Sequence, residues 1–428
     1  MSSTGREQPS AAGAGPASGL PYAPGGAAAV RAAAVAPPER DHALRAIAMA
    51  NNGEDRDQVI REAVFVLRSP GRHDVLSFWY ATVALVHAGE TDLAGEHCDR
   101  VLATQGANTL GSDTVGSDIM AEFAFALRGR LAWLQGDPVA AAEILDQALE
   151  RDPGPRLRDL LVAWSTAAHV SRGDLDTAYR RMLDHVCGES FAHSEDKAEL
   201  LAALGELELA AERHDVARTA FLECGRLLTE RGVRNPAVVP WRSRAALCAH
   251  ASGRHRLASV LADRELRLAR RWPDPRTLGV AIHAHAVVRS RTSGEAREAA
   301  DLLARGPATE DLLRARYDLA HFLSAERQCP QAAAMFGEVR DLARKAGYAA
   351  WAERAETAAH RLTRQAGDRL TGQQRKIAEL ARSGLSNRRI AEQQFLTVRT
   401  VEFHLSSVYR KLGVAGRREL ATLPVPLP

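Results

Sequence analysis

The stretch GDPVAA, residues 136–141, places a turn residue five positions before an alanine at the start of an amphipathic segment. Six related phrases occur elsewhere, and the seven alanines are spaced 47, 37, 39, 41, 41 and 33 residues apart. Self-similarity near 40 residues is typical of stacked helix pairs. The phrases are GETDLA at 89–94, GDPVAA at 136–141, GDLDTA at 173–178, ERHDVA at 212–217, GRHRLA at 253–258, GEAREA at 294–299 and RQCPQA at 327–332.

Each phrase predicts the junction between the two helices of a pair. The turn residue ends one helix, and the small alanine lets the next helix approach closely. A helical pattern precedes the turns, as in AEFAFALRGRLAWLQG at 121–136, where apolar residues lie three and four apart. Neither helix can bury its apolar face alone, so neighbouring pairs stack. No alternation of period two is long enough to indicate a sheet, and we predict an all-α chain.

The last unit, residues 312–347, resembles a tetratricopeptide repeat. The average spacing is longer than the 34 residues of that repeat, so we predict a degenerate, tetratricopeptide-like solenoid over residues 39–363. HEAT-like pairs or an irregular helical bundle are the alternatives. Because solenoids present a concave surface, we expect this domain to bind a protein partner or a ligand, with a simple spacer as the competing interpretation.

Composition and cysteine use favour a cytoplasmic protein. Hydrophobic residues make up 46% of the chain and aromatic residues only 5%. No apolar run is long enough for a membrane span, and no signal-peptide pattern begins the sequence. The Ala-, Gly- and Pro-rich residues 1–38 predict a disordered tail. The five cysteines lack a CxxC pair and are interpreted as buried thiols in a reducing cytoplasm; they are Cys98, Cys187, Cys224, Cys248 and Cys329.

Positive charge is concentrated at the C-terminal end. Residues 368–423 carry 11 Lys and Arg against 5 Asp and Glu, whereas the rest of the chain carries 45 against 48. A small basic module on a slightly acidic body is the electrostatic pattern of nucleic-acid binding, although charge alone fits a solvated surface equally well.

Cap residues divide this basic module into helices. Thr371 and Gln374 have the spacing of a capping box, in which each side chain bonds to the backbone of the other residue. Two short helices, a tight turn at Phe395 and Leu396, and a longer third helix predict a helix-turn-helix arrangement. The predicted caps, in chain order, are Thr371, Gly384, Ser386, Thr397 and Gly413.

The third helix, residues 398–412, has three different faces when its residues are placed 100° apart. The predicted core face holds Val398, Val401, Leu405, Val408, Tyr409 and Leu412. The predicted readout face holds Arg399, Glu402, Phe403, Ser406 and Arg410, and the polar face holds Thr400, His404, Ser407 and Lys411. A helix in a major groove needs a packed face and a face that reaches base edges. Phe403 suits contact with a thymine methyl or, equally, partial burial beside the core.

The arginines around this helix suit phosphate contacts. They start the second helix, start the third, and lie at or beyond its C-terminal end, and helix N-terminal amides near Ser386 and Thr397 add donors. The basic residues are Arg388, Arg389, Arg399, Arg410, Lys411, Arg417 and Arg418.

Residues 370–420 resemble the LuxR-type (GerE) DNA-binding domain. The matching residues are LT at 370–371, GLSN at 384–387, IA at 390–391, TVE-x-H at 400–404, KLGV at 411–414 and Arg417. The resemblance implies a four-helix domain in which the third helix reads DNA and the fourth, residues 417–423, forms the dimer contact. It implies base contacts from Glu402, Phe403 and Ser406, and backbone contacts from Asn387, Arg388, Arg399, Thr400, Arg410 and Lys411.

This chain departs from the LuxR pattern at four positions. The family usually has acids where Gln374 and Lys376 stand, often an acid where Arg389 stands, and an apolar residue where Gln394 stands. The first three changes make the module more basic, whereas Gln394 weakens the expected packing of the second helix. None of the four removes the predicted readout face.

The whole arrangement resembles the C-terminal part of large ATP-binding LuxR regulators, which carry an N-terminal nucleotide-binding domain. This sequence has no phosphate-binding G-x-x-x-x-G-K-[ST] motif, no HExxH, no G-x-S-x-G and no metal-spaced Cys/His set. We therefore expect no enzymatic activity, no cofactor and no metal.

The sequence predicts a cytoplasmic, sequence-specific transcriptional regulator that binds double-stranded DNA as a homodimer. In the alternative, the protein is an interaction scaffold whose C-terminal domain serves mainly for dimerisation. The expected division is a disordered tail at 1–38, the repeat domain at 39–363, a linker at 364–369, the DNA-binding domain at 370–423 and a Pro-rich tail at 424–428.

Overall fold

A computed structural model describes residues 38–69, 74–107, 114–186, 191, 194–289, 292–368 and 370–422. In these ranges the chain forms 21 helices and no strand, which confirms the predicted all-α class. None of these helices is both long and apolar enough to cross a membrane. Residues 1–37, Cys187 and residues 423–428, about which the sequence made predictions, lie outside the described ranges.

Seventeen helices form the repeat part and four form a C-terminal domain. The helices are α1 Pro38–Asn52, α2 Arg56–Arg68, α3 Val75–His87, α4 Thr91–Ala107, α5 Thr114–Leu134, α6 Pro138–Glu150, α7 Pro155–Arg172, α8 Leu175–Val186, α9 Lys197–Ala210, α10 His214–Glu230, α11 Trp241–Ala251, α12 His255–Ala269, α13 Pro275–Arg289, α14 Ser293–Leu303, α15 Thr309–Ala325, α16 Cys329–Ala346, α17 Ala349–Asp368, α18 Gly372–Arg382, α19 Asn387–Gln394, α20 Val398–Leu412 and α21 Arg417–Thr422.

The repeated alanines mark the second helix of each pair. In six pairs the alanine is the fourth residue of that helix, and all seven predicted alanines have no exposed surface. The exception is α14, which begins at Ser293, so that Ala296 rather than Ala299 occupies the equivalent position. The predicted register of this one repeat was therefore wrong by three residues, because GEAREA contains two alanines one helical turn apart. The remaining junctions confirm the predicted helix-pair array.

The turns between paired helices share one backbone conformation. In the turn after α3, Gly89 has a φ of 81°, and the amide of Glu90 bonds to the carbonyl of Leu85. The same pattern ends the first helix of the other pairs in this series whose turns are described: a left-handed residue is followed by an amide that bonds to the carbonyl five residues back. The left-handed residues are Gly89, Gly136, Gly173, Glu212, Gly253 and Arg327.

The array winds tightly enough for its second superhelical turn to lie on its first. The Asn235 side chain donates to the Ala50 carbonyl at 2.7 Å, and the Trp272 indole donates to the His87 carbonyl at 3.0 Å. Both bonds join residues 185 positions apart, between four and five helix pairs. We call this line of contacts the seam. The predicted solenoid is therefore a superhelix whose successive turns are in contact.

The seam explains why some turns require glycine and others do not. A Cβ atom on Gly136 would lie 2.0 Å from Thr309 Oγ1, a separation that no side chain tolerates. Gly253 also has a positive φ, but a Cβ atom there would meet nothing within 4 Å. Glu212 and Arg327 adopt the same left-handed conformation as exposed residues. The turns with non-glycine residues thus face solvent, as the turn at Gly253 also does.

The prediction of buried thiols is confirmed for three of the four cysteines in the described ranges. Cys98, Cys224 and Cys248 are buried, and Cys329 is partly buried. Burial raises the pKa of the Cys98 and Cys248 thiols to about 12, so both remain protonated and unreactive at neutral pH.

The C-terminal domain has its own core. Helices α18 to α21 pack around apolar residues that include Ile377, Ile390 and Leu420, all without exposed surface. The last helix of the repeat part, α17, extends to Asp368, through most of the segment interpreted as a linker. The two parts of the chain therefore meet through a helix that stops two residues before Leu370.

Candidate nucleic-acid interface

Helix α20 is held against its domain by one apolar face. Val401, Leu405 and Val408 are at most 3% exposed, and Tyr409 and Leu412 pack partly buried beside them. These positions confirm five of the six predicted core residues. Val398 is the sixth and was wrongly placed, because it is the first residue of the helix and remains 40% exposed.

Side-chain caps fix where the helices of this domain begin. Thr371 Oγ1 accepts from the Gln374 amide at 3.1 Å, and Gln374 Oε1 accepts from the Thr371 amide at 3.0 Å, which completes the predicted capping box. Thr397 Oγ1 accepts from the Thr400 amide at 3.1 Å at the start of α20, and Ser386 caps α19 in the same way. The predicted left-handed glycines, Gly384 and Gly413, have φ values of 91° and 65°.

The predicted readout face of α20 points away from the rest of the chain. Glu402, Phe403 and Ser406 are all exposed, and Phe403 is 73% exposed, so partial burial of this ring is excluded. Arg399 and Arg410 are exposed at the two ends of the same face. The structure therefore gathers the three predicted base-contacting residues between two guanidinium groups.

The third face of α20, which was predicted to be polar, is hydrogen-bonded to α18. Lys411 Nζ donates to Gln374 Oε1 at 2.9 Å, and Gln374 Nε2 donates to Ser407 Oγ at 3.1 Å. Thr400 Oγ1 lies 2.7 Å from Thr397 Oγ1. The sequence identified Gln374 as a cap and as a departure from the LuxR pattern, and the structure shows that the same side chain also orients two residues of α20.

Two of the predicted backbone-contacting residues are held by other side chains. Arg417 Nη2 donates to Asn387 Oδ1 at 2.6 Å, and Arg417 Nη1 bonds to the Leu385 carbonyl. Half-buried Arg417 therefore ties the start of α19 to α21, which corrects its interpretation as a phosphate-seeking arginine. Arg388 Nε lies 3.4 Å from Glu392 Oε1, but its side chain is 85% exposed and so remains available to a ligand.

Phe395 is the feature of this surface that sequence reasoning underestimated. It lies in the turn between α19 and α20, is 96% exposed and has a left-handed φ of 55°. A bulky residue rarely adopts this conformation, which glycine accepts without strain. The signal in the sequence was a large apolar residue between the polar end of α19 and the Thr397 cap.

Comparison with known proteins supports the assignment of this domain alone. Residues 368–423 match the family model described as bacterial regulatory proteins, luxR family. Two proteins named as HTH-type transcriptional regulators, from Mycobacterium bovis and Mycobacterium tuberculosis, are each 47% identical over 51 residues. The match spans 12% of this chain and only 6% of each relative.

Solved structures resemble the overall helical array at low identity. A Rap protein complexed with competence and sporulation factor covers 76% of this chain and 98% of its own, with 9% identity and a TM-score of 0.40. Yeast Tom70 covers 81% of this chain and 66% of its own, with 15% identity and a TM-score of 0.37.

The structure and the family match over residues 368–423 agree on the type of this domain. The structural features are the four helices, the two predicted N-caps of the helix-turn-helix and the exposed face of α20. The C-terminal domain of this all-α, tetratricopeptide-like chain is a LuxR-family helix-turn-helix domain.

Proposed function

We propose that this protein is a sequence-specific, DNA-binding transcriptional regulator of the bacterial cytoplasm. In this proposal α20 enters the major groove, and the repeat domain senses a protein partner or a small ligand. The observation that carries it is the division of α20 into a buried apolar face and an exposed face with Glu402, Phe403 and Ser406. A groove-reading helix needs both faces, because one positions it and the other reaches base edges.

Charge around this face supports phosphate contacts. Arg389, Arg399, Arg410 and Arg418 are exposed in the described part of the domain, and Arg388 is exposed beside its weak partner Glu392. Each guanidinium that neutralises a phosphate releases condensed counterions, so affinity should fall steeply with salt. In this proposal Asn387, Thr400 and Lys411 contact the DNA backbone. Their side chains are oriented by hydrogen bonds to Arg417, Thr397 and Gln374, respectively.

Two copies are proposed to bind one operator. The short helix α21 exposes Arg418, Glu419, Ala421 and Thr422 while Leu420 anchors it in the core, which makes its outer side available to a second copy. Two-fold binding then requires half-sites about one helical turn, ~10 bp, apart.

Selection from a random-sequence DNA pool with the full-length chain tests the proposal. We expect enrichment of a palindromic motif with half-sites about 10 bp apart, and affinity that decreases linearly with salt on logarithmic axes. Binding without any enriched motif would reject sequence-specific recognition. The absence of binding even at low salt would favour the interaction scaffold, in which the same domain only dimerises.

A further inference from the structure

The inside of the superhelix contains three neighbouring cavities that share one arginine. The first helices of the pairs form most of their walls, and Arg276, the second residue of α13, borders all three. The cavities have volumes of about 20, 60 and 40 Å³. At roughly 10–15 Å³ for each water-sized group, they hold about ten such groups in all.

The carboxylates beside Arg276 are already occupied by other arginines. Arg276 Nε donates to Asp311 Oδ2 at 2.9 Å, but Arg244 bonds to the other oxygen of Asp311 at 2.7 Å and to Glu206 at 2.6 Å. The two terminal nitrogens of Arg276 have no partner among the described residues. Burial raises the pKa of the nearby carboxyl of Glu310, which Ser171 also contacts. Arg276 thus borders the cavities with two terminal nitrogens to which no described residue bonds, and a guanidinium with free terminal nitrogens can bind a carboxylate in a bidentate manner.

Aromatic rings and unsatisfied donors complete the site. The Arg130 guanidinium lies 4.6 Å from the ring centre of Trp133 and 5.5 Å from that of Trp164. Trp164 borders two of the cavities, is 5% exposed, and its indole nitrogen has no hydrogen-bond partner among the described residues. His87 borders one cavity with an equally unsatisfied Nδ1. Burial lowers the pKa of His87 to about 3, so this ring is neutral at physiological pH.

We infer that these cavities form one binding site for a small organic monoanion, a carboxylate with a flat, mostly apolar body of about ten non-hydrogen atoms. The carboxylate meets the terminal nitrogens of Arg276, and the body lies against Trp133, Trp164 and the apolar wall. This inference rests on the proposed sensing role of the repeat domain and names the chemical class that it senses. The apolar wall includes Val83, Val86, Leu127, Leu134, Phe221 and Val238.

The charge of the site selects a monoanion over a dianion such as phosphate. Glu199 and Glu206 border the same cavities, so a second negative charge on the ligand would lie close to carboxylates. A neutral ligand, in contrast, would leave the two nitrogens of Arg276 unpaired after water is displaced, which is unfavourable.

Titration calorimetry and thermal unfolding of the full-length chain with benzoate, in the absence of DNA, test this inference. Benzoate should raise the unfolding midpoint in a saturable way, and benzyl alcohol, its neutral analogue, should bind at least tenfold more weakly. Arg276→Gln should weaken benzoate binding at least tenfold, while Arg256→Gln, a matched change of an exposed arginine on α12, should leave it unchanged. Trp164→Phe keeps an aromatic ring but removes the unsatisfied indole donor, and it should weaken benzoate binding by a smaller factor than Arg276→Gln does.

Equal binding to Arg276→Gln and the unaltered chain would overturn the inference. So would the absence of binding by benzoate, butyrate and hexanoate alike, because the cavities would then hold water only. A cooperative unfolding transition of Arg276→Gln without ligand, at a midpoint close to that of the unaltered chain, shows that the variant is folded. If the unaltered chain did not bind DNA, the proposed regulatory function would be rejected. The calorimetric result with benzoate would not be affected.

Discussion

The side-chain carbonyl of Gln374 accepts a hydrogen bond of 2.9 Å from the ammonium group of Lys411. The two residues belong to α18 and α20, so the bond links the first helix of the C-terminal domain to its proposed recognition helix. Gln374 is uncharged, and it therefore orients Lys411 without cancelling its positive charge. An acid at this position would hold the same geometry but would form an ion pair.

The variant Gln374→Glu tests whether this neutral link matters for DNA. The new carboxylate should pair with Lys411 and retain the capping box, so thermal stability should be unchanged or higher. The slope of log affinity against log salt should fall by about one, because one phosphate contact is lost. Gln373→Glu adds the same charge on the exposed side of α18 and is the control. Fluorescence anisotropy across a salt series gives both slopes, and equal slopes would argue against a role of Gln374 in orienting Lys411.

Substitutions on α20 should separate sequence reading from general affinity. Glu402→Ala or Ser406→Ala should relax base preference at particular operator positions, with a loss of roughly 1–3 kcal/mol of discrimination for each base pair affected. Arg399→Ala should instead weaken all sequences to a similar extent. Competition binding with single-base operator variants measures these effects. A uniform loss in all three variants would contradict the division of this surface into base and backbone contacts.

Gly136 and Gly253, two of the glycines with a positive φ in the repeat part, should differ in their tolerance of alanine. Gly136→Ala combines an unfavourable positive φ with a Cβ atom 2.0 Å from Thr309 Oγ1, so we expect a loss of about 2–4 kcal/mol. Gly253→Ala has only the backbone cost, about 1 kcal/mol. Chemical denaturation followed by circular dichroism compares them. Equal losses would mean that the seam does not hold the first superhelical turn against the second.

Glycine should stabilise the two turns that lack it. Glu212 and Arg327 are exposed and left-handed, and no other contact of their side chains favours that conformation in the described structure. Glu212→Gly and Arg327→Gly should each raise stability by about 0.5–1 kcal/mol, since relief of backbone strain exceeds the added entropy of the unfolded chain. The unfolding midpoint is the measurement, and a lower midpoint in both variants would refute the argument from strain.

Asp196 should make stability depend on pH. It is 4% exposed, and burial, followed by the charges of Glu199 and Asp159, raises the pKa of its carboxyl to about 8. Between about pH 4 and pH 8 the folded chain keeps a proton that the unfolded chain has lost. This group's contribution to stability therefore falls as pH rises, by at most about 1.4 kcal/mol per pH unit. Asp196→Asn should flatten that dependence and raise stability at pH 8, as thermal unfolding at pH 5 and pH 8 would show.

Local signals in the sequence predicted most of the helices and little of how they meet. The buried alanines and the caps of the C-terminal domain depend on neighbours within a few residues, and the structure confirms them at Ala141, Thr371 and Thr397. The seam depends on pairs such as Ala50 and Asn235, which are 185 residues apart and carry no motif. The curvature of the helical array is the sum of small rotations over many helix pairs. Composition and periodicity do not specify these rotations.

The candidate site shows the same limit at shorter range. A helical wheel correctly separated Leu405 from Glu402, because that difference depends only on the pitch of one helix. It did not reveal that Arg417 bonds to Asn387, or that Gln374 reaches Lys411, because those contacts require the relative positions of different helices. Phe395 was assigned to an apolar turn, yet the turn directs its ring into solvent.

The seam also limits how a chain of this kind can lengthen over evolutionary time. Gly53, Gly89, Gly136 and Gly173 each meet a residue between 173 and 185 positions further along, so the count of residues between the two superhelical turns is fixed in four places at once. Duplication of one helix pair between Gly173 and Asn235, which lies inside all four intervals, would displace every one of these contacts. A pair added before α1 or after α17 would displace none of them, and growth of the array is therefore confined to its two ends.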